Sequence, residues 1–348
     1  MTATTTVRQR RFGAIRDVFG GMSAISVKEL RGRMRGRRAF VIITVHLLLV
    51  AGFAWMVETL MERTFTGGFG STFSASAEIG RALFIAMLVL LTLIVLVLAP
   101  ASTAGAISLE REKQTLDLLA TTPISSLAIV LGKLVSALSW ILLLLLASIP
   151  VTALVFTFGG VGPDDMVKGY VVLLVTALFY GSVGLFVSAL VKRTQAATVI
   201  NLVTVIALTA GTGFIFIFWS SMTNNGLLPN NARNESFLES LSRRPPEALL
   251  WFNPFIAQLD VVCGTETGFG ASCQIIGAVT NQGQNAFNGQ GLDNGFGVPR
   301  DSYWPRASAA MAIVSLVLIV LAVQLVSPTR RWRIRRRRSR PAPAGSDA

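Results

Sequence analysis

The chain has 348 residues, 52% of them hydrophobic and 14% charged, with a mean hydropathy of +0.60 and a formal net charge of +13. Soluble domains carry about 25% charged residues, and runs long enough to cross a bilayer, about 20 residues at 1.5 Å each, recur along this chain, which excludes a soluble globular protein. The positive balance does not signal nucleic acid, because it gathers beside the predicted spans, where each basic residue gains about 1 kcal/mol from anionic headgroups.

In chain order, residues 1–38 form a basic leader. From Phe12 apolar residues recur at helical spacing, and Val27, Leu30 and Met34 repeat it within SVKELRGRMRGRRAF. Arginines flank that stripe, which predicts an amphipathic helix lying on a membrane surface. Six spans follow, at about 39–61, 82–107, 127–157, 167–190, 195–219 and 304–327, each predicted as a transmembrane helix. The first lacks a small-residue cleavage site after it and reads as a retained span, not a signal peptide. The fold class expected is therefore an all-α integral membrane protein: 39–219 holds five spans, 220–303 a loop with short helices, 304–327 the sixth span and 328–348 a basic tail. Pro100 and Pro150 fall inside the second and third spans, where each is expected to kink its helix. PPEALLWFNPFIAQLDVVCG, within 220–303, is apolar but too short and broken to span, and is expected to form two short helices resting on or dipping into the outer leaflet.

Orientation follows from the basic residues, which collect on the cytoplasmic side. Of the 31 Lys and Arg, 23 fall on the side that holds both termini and residues 108–126. Both termini are therefore expected in the cytoplasm of a cell inner membrane, and 220–303 outside. Cys263 and Cys273, the only cysteines, lie in that outer loop, where a disulfide is permitted; two unpaired thiols are the alternative. Neither their number nor their spacing fits a zinc site, which wants about four ligands. His46, the only histidine, falls inside the first span and reads as an interhelical hydrogen-bond donor.

The stretch SLEREKQTLDLLATTPIS, residues 108–125, is charged yet stands between two apolar spans. As a helix over 108–122 it puts Leu109, Leu116, Leu119 and Ala120 on one stripe, with Glu110, Arg111 and Asp117 off it and Glu112 and Lys113 at its border. Pro123 stops the helix and starts a turn. Connections within bundles need only 2–8 residues, so a longer stiff lever with an apolar stripe points to a partner protein pressing against it.

The same residues carry a resemblance. LEREKQTLDLLATTPISSLAIVLGKLV is similar to the signature of permease subunits of ATP-binding-cassette transporters of the type-2 exporter family. Glu110, Arg111, Glu112, Lys113, Thr115, Leu116, Leu119, Thr121, Pro123, Ile124, Ser125, Gly132 and Lys133 match that pattern, while Gln114 replaces its usual glycine and is expected to stiffen the helix. The leader SVKELRGRMRGRRAF resembles the family's surface helix, and WFNPFIAQLDVV its Asn-Pro segment. The resemblance implies two partners, a second permease subunit in a homo- or heterodimer and a separate ATPase subunit. It makes Glu110, Arg111, Glu112, Lys113, Thr115, Leu116, Leu119, Thr121 and Pro123 the ATPase-coupling residues, with Leu116 and Leu119 as apolar anchors.

The residues themselves agree with such a division of labour. The chain has no G-x-x-x-x-G-K-[ST] and so no phosphate-cradling loop. It has no G-x-S-x-G, and its spans hold no chain of acidic groups of the kind that proton-driven transporters keep. No cofactor and no catalytic residue is expected on this chain, and energy for transport has to come from the partner. The alternative reading is a non-transporting membrane subunit with a regulatory or mechanical role.

Overall fold

The computed structural model describes residues 23, 26, 27, 32, 37–65, 72–114, 126–224, 247–263 and 303–326. Of the amphipathic leader helix, only the helical positions Ser23, Ser26, Val27 and Gly32 fall among them, and the basic tail after 326 lies outside. Among the described residues all regular structure is helical. The elements are α1 (Arg37–Phe65), α2 (Thr72–Ala104), α3 (Ser108–Glu112) and α4 (Ser126–Ala153), the last running into a 3-10 turn at Leu154–Thr157. Next come α5 (Pro163–Leu190), α6 (Thr194–Ile206), a π turn at Ala207–Gly211 and α7 (Thr212–Asn224). A 3-10 turn at Glu247–Leu250, α8 (Pro254–Cys263) and α9 (Tyr303–Val326) complete the elements among the described residues. Among the described residues six helical segments are long and apolar enough to cross a membrane, namely α1, α2 running on through α3, α4, α5, α6 with α7, and α9. They coincide with the six predicted spans, and the shortest, α9, at about 36 Å, exceeds a hydrocarbon core of about 30 Å.

Lipid is as apolar as leucine, so packed spans are held by close approach and by polar bonds, with little hydrophobic drive between them. α5 is the centre of this bundle and packs on α2 and α9, with α4 and α6 beside it. Gly184 on α5 shows how: a Cβ there would collide with Thr103 Oγ1 of α2 and come within 2.7 Å of Asn201 Nδ2 of α6. Asn201 in turn donates to the Pro100 carbonyl of α2 at 3.3 Å. Three spans thus meet at one glycine. Pro100 and Pro150 both stand inside helices, as expected. At the periphery, Phe40 and Trp55 of α1 and Phe214 and Ile217 of α7 are more than two-thirds exposed.

At the end where α4 meets α5, Gly159 and Gly160 both take φ 79°, a conformation that side-chain-bearing residues avoid. The Gly160 carbonyl there accepts from Arg81 Nε of α2 at 3.0 Å. Asp165, buried in the first turn of α5, accepts from the Gly162 amide at 3.1 Å and from Lys168 Nζ at 3.2 Å.

The segment expected to rest on or dip into the outer leaflet instead enters the bundle. Leu250, Ala257, Val261 and Val262 are buried, and α8 packs against α2, α5 and α9. Tyr180 Oη, 17 residues or about 26 Å along α5, donates to the Phe252 carbonyl at 3.0 Å. From that depth α8 climbs back toward the start of α5, where Gln258 Nε2 donates to the Gly169 carbonyl at 3.2 Å. Non-helical backbone at membrane depth is tolerated only where protein or water satisfies it. Asn253 does much of this here: its Oδ1 accepts from the Phe255 amide at 3.1 Å, and its Nδ2 donates at 2.9 Å to the Thr209 carbonyl in the π turn. Asp260 ends the segment by accepting the Tyr303 and Trp304 amides, both at 2.9 Å, and so caps α9.

Loss of a helix N-cap costs about 1–2 kcal/mol, and this one is buried. Asp260→Ala should therefore lower the thermal stability of the detergent-solubilised protein by at least that amount. Asp260→Asn, which keeps an acceptor, should lose clearly less; equal losses in the two melting curves would contradict the capping role.

Candidate functional site

The charged stretch singled out in the sequence sits at the end of the bundle where α2 and α5 finish and α4 and α6 begin. The chain leaves α2 through a turn in which Ala106 N donates to the Thr103 carbonyl at 3.0 Å and Leu109 N to the Gly105 carbonyl at 3.1 Å. A short helix of five residues, α3, follows. Its first amides have no cap of their own, because Ile107 precedes them. Ser188 of α5 supplies one: its Oγ accepts from Ile107 N at 2.9 Å and Ser108 N at 3.1 Å. Ser108 and Ser188 are both fully buried, so α3 starts bolted to the central span.

Glu110 Oε1 pairs with Lys133 Nζ of α4 at 2.8 Å. Lys133 is buried and Glu110 is one-quarter exposed. Burying a lysine is costly unless its charge is met by a carboxylate or carbonyls, and Glu110, six residues past the end of α2, supplies that carboxylate. Beside Lys133, Ser26 Oγ of the leader donates to the Gly132 carbonyl at 3.1 Å.

Glu112 reaches the third neighbour. Its Oε1 accepts from Thr194 N at 2.9 Å and its Oε2 from Thr194 Oγ1 at 2.7 Å. α6 follows Arg193, which makes no cap, so the negative carboxylate of α3 closes the positive end of α6.

α3 then stops. Lys113 N donates to the Leu109 carbonyl at 3.0 Å and Gln114 N to the Arg111 carbonyl at 3.1 Å, and Gln114 takes φ 57°. A left-handed residue just past a helix end is the usual place for glycine. Gln114 therefore ends a helix where stiffening was expected, and helix over 108–122 is not continuous. Thr115, Leu116, Leu119, Thr121 and Pro123 lie outside the described residues.

The structure thus brings Glu110 and Glu112 onto two different spans, while Arg111 is half-buried and Lys113 exposed. Sequence reasoning missed Ser188 and Thr194, whose only signal is that α3 and α6 begin at residues unable to cap them. His46 is buried in α1, which packs against α4. Cys263 ends α8, and Cys273 lies outside the described residues, as does any bond between them. Among the described residues no cluster of three or more His, Cys, Asp or Glu is placed to hold a metal ion.

Breaking a buried ion pair from one side is far worse than removing both partners. Glu110→Ala should destabilise the protein by on the order of 3 kcal/mol, and adding Lys133→Met should recover most of that loss. Chemical or thermal unfolding of both variants checks it; a double variant no better than the single would contradict the pair's structural role.

A comparison with curated proteins finds no match. The family model described as ABC-2 family transporter protein matches residues 23–331, which takes in all six spans, α3 and α8. The chain belongs to that family, as a multi-pass membrane permease subunit of the ABC type.

Proposed function

We propose that this chain is the membrane-spanning subunit of an ATP-driven exporter, and that it couples ATP hydrolysis on a separate ATPase subunit to movement of its spans. The observation that carries this reading is the bonding of α3. Within five residues it is fixed to α5 through Ser188, to α4 through Lys133 and to α6 through Thr194. A push on a segment tied to three spans is delivered to all three, whereas a loop tied only to its flanking helices would absorb it. The ATPase-coupling residues are Glu110, Arg111, Glu112, Lys113, Thr115, Leu116, Leu119, Thr121 and Pro123. Glu110 and Glu112 serve from the inside, and Leu116 and Leu119 serve as anchors toward the partner.

The remaining parts of the proposal rest on charge and exposure. Basic residues favour the cytoplasmic side, and 23 of the 31 Lys and Arg fall in the segments 1–38, 105–133, 190–194 and 327–348 of the sequence, which supports a cytoplasmic position for α3 and both termini at the inner membrane. The exposed apolar faces of α1 and α7 leave room for a second permease subunit as well as for lipid.

Leu116→Asp tests the coupling assignment, because a few desolvated apolar anchors carry most of the binding energy at such contacts. The variant should insert into the membrane normally and retain at least tenfold less ATPase subunit on co-purification, about 1.4 kcal/mol. Undiminished co-purification would remove the coupling role of the segment.

A further inference from the structure

We infer that the surface of the ATPase subunit that receives α3 is acidic. This rests on the coupling proposed above and goes beyond it by specifying the chemistry of the partner.

The stretch EREK reads as electrically balanced in the sequence, and the structure removes that balance. Glu110 is engaged by Lys133 at 2.8 Å, inside the bundle. Both oxygens of Glu112 are engaged by Thr194. The charge of Glu110 is thus cancelled inside the bundle, Glu112 keeps its charge but is turned onto Thr194, and the cations Arg111 and Lys113 are left for a partner. Neither of these makes an ion pair among the described residues. Next to them, the turn between α5 and α6 exposes Lys192 and Arg193 and carries no acid, and Arg193 is close enough to Glu112 to act on its carboxyl.

The asymmetry extends over the whole molecule. In the sequence, the segments 1–38, 105–133, 190–194 and 327–348, which the charge rule assigns to one side, hold 23 Lys and Arg against 6 Asp and Glu. The rest of the chain holds 8 against 12. A partner seated on α3 therefore meets Arg111 and Lys113 with Lys192 and Arg193 beside them. A basic receiving surface would be repelled, and a carboxylate-rich one would be steered in and held in register.

Anionic lipid headgroups are attracted by the same field. Orienting a protein in a membrane, however, needs only cations near the headgroups. It does not need one acid of the same short helix to be neutralised by a buried lysine and the other to be turned onto a threonine of a different span. That arrangement changes the charge of one protruding element, and the element is the one that the coupling reading assigns to the ATPase.

The test uses the full chain co-expressed with the ATPase subunit that co-purifies with it. Binding is measured between low and physiological salt for the unaltered chain, for the double variant Arg111→Glu/Lys113→Glu and for Leu116→Asp. The unaltered complex should weaken as salt rises, because exposed charges are screened. The charge-reversed variant should bind at least tenfold more weakly at low salt and lose most of the salt dependence, with unchanged thermal stability of the permease itself. Affinity and salt dependence unchanged by the reversal, with Leu116→Asp still weakening the complex, would overturn the acidic surface and leave the coupling role standing. If Leu116→Asp also has no effect, the coupling role falls and this inference falls with it. If the reversal lowers retention of phosphatidylglycerol in nanodiscs but not ATPase binding, the charges serve headgroups and the inference is refuted.

Discussion

The carboxylate of Glu112 closes the start of a helix to which it does not belong, and the same device recurs twice. Ser188 of α5 caps α3, Glu112 of α3 caps α6, and Asp260 of α8 caps α9. Free amides at a helix start need a partner, and at or near a bilayer water is a poor one. Supplying the partner from another element satisfies the amides and also fixes the angle between two elements. Each cap is thus both a local hydrogen bond and a joint. The bundle depends on these joints because lipid offers no hydrophobic drive to press its spans together.

The joints divide the fifth span into two parts with different attachments. Its first part, α6, is held by Glu112 at its start and by Asn201 to the Pro100 carbonyl. Its second part begins after the π turn at Ala207–Gly211, where Asn253 holds the Thr209 carbonyl. The α3 end and the α8 end of the protein therefore meet along one span, on either side of an irregular turn. π turns occur often at functional sites in helices, and this one lies between the part of the span that Glu112 holds and the part that Asn253 holds.

The six spans were legible because an uninterrupted apolar run of bilayer length has few other interpretations, and the predicted limits fall within a few residues of most helix ends. The exception is the second span, whose helix starts at Thr72 among small and polar residues that hydropathy alone does not mark. PFIAQLDVVC was recognised as a short helix, but its location was not. An apolar run of ten residues reads the same whether lipid or protein covers it, and the evidence that decides, Gln258 on Gly169 and Asp260 on α9, is tertiary. The same holds at α3. ERE announced a charged helix, yet which carboxylate meets Lys133 and which meets Thr194 depends on residues 23 and 82 positions away. Gln114 was noticed as a departure from the glycine of similar sequences, and its φ of 57° explains what that glycine is for.

The central claim is that α3 and the spans bonded to it move as one body. Hydrogen–deuterium exchange on the complex with its ATPase subunit, without nucleotide and with ATP bound, tests it most directly. The amides of Ile107, Ser108 and Thr194 are the ones held by Ser188 and Glu112. Protection of all three in both states is the result expected. Loss of protection at Thr194 or Ser108 when ATP binds would mean that the joints open under load, and that force does not travel through them.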